Sequence, residues 1–209
     1  VAEGPWHGLM PLARGDIATG LTLDGAGGVV VAGYTYGGNF PITQGAFQTD
    51  FDGERYDAFV SRLNADGSEL IYSTYLGGDK NDFAYSITSD GDGDGEVIVG
   101  GATQGNFPVT QGAYSTDGNG TIGFHAGYYD GFVTRLSADG SELIYSTYFG
   151  SNYGDQIRVL ISDGAGGVIA GGDSYAAGAY PIPTTQGAYQ EEYGGGIYDG
   201  FIIRLNPAG

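Results

Sequence analysis

Apolar residues recur along this chain in short bursts separated by Gly, Asp, Asn and Ser, and the bursts are too short for helices. Across 70–75, Leu70, Tyr72 and Thr74 alternate with Ile71, Ser73 and Tyr75, which is the period of an extended strand. Val29, Val30, Val31 and Ala32 are apolar without alternation, as expected of a strand covered on both faces. Strands are predicted over 18–23, 29–34, 58–63 and 69–75, then over 84–89, 97–102, 131–136 and 142–148, and finally over 157–162, 168–173 and 200–205. Short Gly/Asp turns join the first strand of each set to the second, and Ala-Asp-Gly-Ser turns join the third to the fourth. A longer segment links the second strand to the third.

The sets are copies of one another. Residues 57–76 read DAFVSRLNADGSELIYSTYL, residues 130–149 read DGFVTRLSADGSELIYSTYF, and residues 199–209 read DGFIIRLNPAG. The linking segment reads NFPITQGAF at 39–47, is echoed at 106–114, and returns with two extra residues at 179–189. The units divide as 16–81, 82–154 and 155–209, with 1–15 ahead of them. One four-stranded unit cannot bury both of its faces, whereas stacked units can. The prediction is therefore an all-β chain: a β-propeller-type repeat array of three four-stranded blades, the third lacking its outer strand within the chain.

The motifs YSTYLGG, DFAYSI, V-x-V-x-G and DAFVSRLNADGS, together with F-P-x-T-Q-G-A-aromatic, resemble the bacterial β-propeller repeat (SBBP repeat) family. The resemblance covers nearly all of the chain beyond about Asp16. It implies a propeller blade and a cell-surface or secreted setting, and it carries over no catalytic residues.

A sheet that stops after its third strand leaves an unpaired edge, which natural proteins avoid. At an offset of about 66 residues, Trp6 falls on Tyr72, Leu9 on Tyr75 and Met10 on Leu76, so 3–10 reads as a fourth strand with no blade of its own. The expected use of Trp6, Leu9 and Met10 is to complete the last sheet, beside the strand carrying Phe201 and Ile203. Exchange between two chains would close a ring; head-to-tail exchange would give a filament. An excerpt of a longer propeller is the third arrangement open at this stage.

Composition narrows the function classes. The 42 Gly accompany 17 Tyr and 10 Phe, an aromatic content that disordered Gly-rich chains lack. A net charge of −18 repels phosphate backbones and anionic bilayers, which argues against nucleic acid. Without Cys there are no disulfides and no thiolate chemistry. No apolar run reaches the length of a membrane span. The start at Val1, without Met or a signal segment, is expected of a mature or trimmed product, and the setting is expected to be extracellular or cell-surface.

Residues present in every unit read as scaffold; those found once are candidate sites. Arg62, Arg135 and Arg204 recur and are expected to tie neighbouring strands by ion pairs or carbonyl contacts. Asp90, Asp92 and Asp94 occur once, in D-G-D-G-D-G, which is similar to the start of a Ca²⁺ loop. The likeness fails further on, because Gly101 stands where an EF-hand needs Glu. Ca²⁺ is the only cofactor the sequence suggests. Asp50, Asp52 and Glu54 form a weaker acidic cluster. The insertion at 115–129, with Phe124, His125, Tyr128 and Tyr129, is the candidate recognition loop for a glycan or a surface protein. No nucleophile elbow, zinc signature or phosphate loop occurs. The reading is thus a non-enzymatic structural protein whose chief partner is itself, with glycan or protein binding as the alternative.

Overall fold

The structure is a computed structural model that describes residues 15–91, 93–118, 128–175 and 182–209. Among these residues eleven strands form three antiparallel sheets, and there is no helix. Sheet 1 runs β1 (Ile17–Leu23), β2 (Val29–Tyr36), β3 (Tyr56–Leu63) and β4 (Leu70–Leu76), paired in chain order. Sheet 2 repeats this with β5 (Asp82–Ser89), β6 (Val97–Thr103), β7 (Asp130–Leu136) and β8 (Leu143–Phe149). Sheet 3 holds β9 (Asp155–Ser162), β10 (Val168–Tyr175) and β11 (Tyr198–Leu205). The predicted strands are all present, several starting one or two residues earlier than alternation alone suggests.

Each first strand carries a β-bulge at the same repeat position: Thr19 in β1, Tyr85 in β5 and Arg158 in β9. The bulge presses the carbonyl of the residue two places earlier against the second strand. At Gly33, Gly101 and Gly172 a Cβ would lie 1.9 Å from the carbonyl oxygens of Ile17, Phe83 and Gln156 respectively. That close approach is why glycine stands there in all three units. Gly101→Ala is expected to lower stability by roughly 1–3 kcal/mol. Gly200→Ala, whose Cβ would meet only the Gly172 carbonyl at 3.8 Å, is expected to stay within about 0.5 kcal/mol of the parent. Paired thermal melts check the contrast.

The sheets stack face to face. β5 packs across β1, β2 and β3, and β9 across β5, β6 and β7. Between sheets 1 and 2 lie Val30, Val60, Tyr72 and Leu76 against Ile87, Val97, Val99 and Leu136. Between sheets 2 and 3, Ile98, Val133 and Tyr145 meet Ile157, Val168, Ala170 and Leu205. Hydroxyls stitch the first strands together across each gap. Thr19 Oγ1 donates to the Ala84 carbonyl at 2.7 Å, the Leu160 amide donates to Ser86 Oγ at 3.0 Å, and Ser162 Oγ donates to the Asp90 carbonyl at 2.6 Å.

The F-P-x-T-Q-G-A segment proves to be more than a connection. In unit 1 the Thr43 amide donates to the Ser73 carbonyl at 3.1 Å, and the Ser73 amide returns a bond to Thr43 Oγ1 at 2.9 Å. The Tyr75 amide donates to the Gln48 carbonyl at 3.1 Å. Thr110 and Ser115 make the matching bonds to Ser146 and Tyr148 in unit 2. The segment thus lies along the outer edge of β4 and of β8 and satisfies amides and carbonyls that would otherwise be open to pairing.

Candidate functional site

The recurring arginines each tie a turn within their own sheet, and Arg62 and Arg135 also reach the next sheet. Arg62 grips Asp24 in the β1–β2 turn (Nη2 to Oδ2, 2.7 Å) and donates through Nη1 to the Ala138 carbonyl of sheet 2 at 2.9 Å. Arg135 pairs with Asp90 at 2.5 Å and Glu96 at 2.6 Å, and donates to the Gly166 carbonyl of sheet 3 at 3.2 Å. Arg204 pairs with Asp163 at 2.7 Å, and its side chain is 67% exposed. With no further sheet beyond it in the chain's described residues, this third arginine stands in solvent.

Arg135 also bears on the calcium expectation. Oxygens of Asp90, Asp94 and Glu96 lie within 4.8 Å of one another, but Asp90 and Glu96 already neutralise the buried guanidinium. A divalent ion there would compete with Arg135 for the same carboxylates. Asp94 accepts the Glu96 amide at 2.9 Å and so shapes the turn. Asp92 lies outside the described residues.

Of the candidate recognition loop, Phe124 and His125 lie outside the described residues. Tyr128 and Tyr129 are half-buried and packed. Tyr128 stacks on Tyr175 with centroids 5.7 Å apart and meets Tyr153 edge-on at 6.2 Å. Tyr129 packs on Phe83 at 5.6 Å, in the gap between sheets.

The residues expected to carry assembly divide in two. Trp6, Leu9 and Met10 lie outside the described residues. Phe201 and Ile203 pack on the core between sheets 2 and 3. Strand alternation is the reason, since neighbours on β11 point to opposite faces. The outward residue is Ile202, 81% exposed, although its repeat equivalents Val60 and Val133 are both 0% exposed. Ile169 is exposed where Val30 and Ile98 are fully buried, and Val159 and Ile161 extend the same face along β9. These residues line a shallow apolar groove on sheet 3. At the opposite end of the stack, Leu21 and Leu23 of β1 are exposed, while Ile87, the equivalent of Leu21, is buried under sheet 1. The stack therefore ends in two apolar faces, each of the kind its inner sheets bury. Sequence pattern alone gave no parity for β11, so it could not place Ile202.

Neither a family model nor a curated protein matches this chain.

Proposed function

We propose that this protein is a non-enzymatic, secreted or cell-surface β-propeller-type scaffold that assembles with copies of itself. The observation that carries the reading is the exposed face of sheet 3. Val159, Ile161, Ile169 and Ile202 present to solvent a surface that sheets 1 and 2 bury completely at Val30, Ile98, Val60 and Val133. An apolar face of this kind marks an interaction site. The occupant that fits is the leading face of another copy's sheet 1, with Leu21 and Leu23, because the two internal gaps are already formed by that pairing of faces. Such a contact is heterologous and builds a ring or a filament.

The strand that completes sheet 3 would come from 3–10 of the same neighbouring copy. In units 1 and 2 the linking segment holds the fourth strand through Thr43 and Thr110. In unit 3 the equivalent Thr185 sits in an exposed segment, and among the described residues β11 pairs only with β10. A fourth strand added between β11 and this segment would gain partners on both edges.

Sedimentation and light scattering across protein concentration test the proposal. The full chain is expected to self-associate, with association lowered about tenfold or more by Ile202→Lys and by removal of residues 1–14, corresponding to about 1.4 kcal/mol. Ile202 is already exposed, so the substitution leaves the fold in place. A full chain that stays monomeric at every concentration would overturn the reading.

A further inference from the structure

A second set of repeated acids is buried without any arginine. Asp57 is the second residue of β3 and Asp82 opens β5, and both are 0% exposed. Every ion pair among the described residues uses some other carboxylate. Each of these two acids has one oxygen tied to the backbone: Asp57 Oδ2 accepts the Asp52 amide at 3.1 Å, and Asp82 Oδ2 accepts the Gly78 amide at 2.8 Å. The other oxygen of each, Oδ1, is buried with no hydrogen-bond partner.

The two carboxylates face a common point. A Cβ placed on Gly77 would lie 2.7 Å from Asp82 Oδ2 and 2.9 Å from Asp57 Oδ1. On the far side of Asp57, a Cβ on Gly53 would lie 2.2 Å from Asp57 Oδ1, 2.6 Å from the Lys80 carbonyl oxygen and 2.7 Å from the Tyr56 carbonyl oxygen. Asp57 Oδ1 thus lies between the Asp82 carboxylate on one side and the Lys80 and Tyr56 carbonyls on the other. This donor set is all hard oxygen, the chemistry of Ca²⁺ rather than of a transition metal.

The next gap supplies an internal comparison. Ser151 occupies the place of Gly78 there, and its amide and hydroxyl donate to Asp155 Oδ2 at 2.6 and 3.0 Å. A serine hydroxyl joins the amide on the carboxylate in that gap; Gly78 adds only its amide in the first, where the Thr103 hydroxyl is the side-chain donor toward Asp82.

The geometry points to a divalent cation site between sheets 1 and 2, held by Asp57 and Asp82 with the carbonyls of Lys80 and Tyr56, for a calcium-like ion. Bound there, the ion would neutralise two buried charges and join β3 to β5 within one copy, independently of assembly.

The test is thermal unfolding of the full chain, stripped with chelator and then returned to Ca²⁺ at fixed ionic strength. At a hundredfold excess over Kd, the midpoint is expected to rise by roughly 5 °C or more. Asp57→Asn and Asp82→Asn should each abolish the rise, while Asp94→Asn, in the exposed acidic turn, should keep it. Tyrosine-sensitised terbium luminescence of the unaltered protein gives a second measurement that does not depend on the variants folding, and a single saturable site that Ca²⁺ displaces is expected. No midpoint shift and no saturable terbium site, or a shift retained in both Asn variants, would overturn the assignment.

Discussion

Replacing Arg135 with Met is expected to lower folding stability by about 3–5 kcal/mol, the scale for stranding the partners of a buried ion pair. Arg135 is 8% exposed, and its guanidinium lies between Asp90, itself fully buried, and Glu96. Met would fill much of the volume but leave two carboxylates facing each other with no cation between them. The Gly166 carbonyl of sheet 3 would also lose its donor, so the loss spans the gap between sheets. Arg204→Met is the control. Its side chain is largely solvated, and exposed pairs contribute only about 0–1 kcal/mol. Urea unfolding with an unchanged slope and a lowered midpoint for the Arg135 variant alone would bear this out. Asp90→Asn with Glu96→Gln in the Arg135→Met background should recover much of the loss, because it removes the repelling charges instead of restoring the pair.

That comparison shows where the sequence is readable and where it is not. DAFVSRLNADGSELIYSTYL and its copies give the number of sheets, the chain order of strands and the turns, because strand alternation and Gly/Asp turns are local signals. The recurrence of Arg62, Arg135 and Arg204 likewise announces a scaffold role. Three features escape a local reading because they depend on residues far apart in the chain. The similarity of 90–94 to a Ca²⁺ loop is real as spacing, but the cation that meets Asp90 is the side chain of Arg135, from β7. The F-P-x-T-Q-G-A segment looks like a connection until its threonines are seen bonded to β4 and β8, some thirty residues away. Phe201, Ile202 and Ile203 are all apolar, so the sequence of β11 does not say which parity faces solvent. Only the register of β11 against β10, with Ile202 opposite Gly171, shows that the exposed parity is that of Ile202. Asp57 and Asp82 carry the same lesson. Recurrence files them as scaffold, and nothing in the order of residues says that both lack a cation.

In chelator, the stability of this protein is expected to fall as pH rises from about 4 to about 8, with Asp82 the largest contributor. Burial pushes the Asp82 carboxyl up to about 8 from an ordinary value of 3.8, an effect only partly offset by the Thr103 hydroxyl and the Gly78 amide and reinforced by the charge of Asp57. Burial likewise pushes Asp57 and Asp155 up to about 6. A carboxyl raised in the folded state holds its proton there after the unfolded chain has released its own, so the native state binds more protons and stability drops with pH. The contribution is intact below about 3.8, the unfolded value, and is fully lost above the folded value. For Asp82 alone the swing is on the order of a few kcal/mol. Asp24 and Asp163 titrate in the opposite sense. Asp24, despite burial pulling it upward, is held below its usual range by the Ala26 amide and Arg62, and Asp163 is held down by Arg204. Each adds stability as pH rises through its unfolded value near 3.8, a slope of opposite sign confined to the acid end of the window. Asp82→Asn, which keeps the shape and removes the charge, should flatten the profile and leave the variant more stable than the parent at pH 8. Denaturation midpoints measured from pH 4 to 8 read the slope directly. A parent profile that is flat or rising in this window would mean that Asp82 does not reach the folded state as a buried, uncompensated acid.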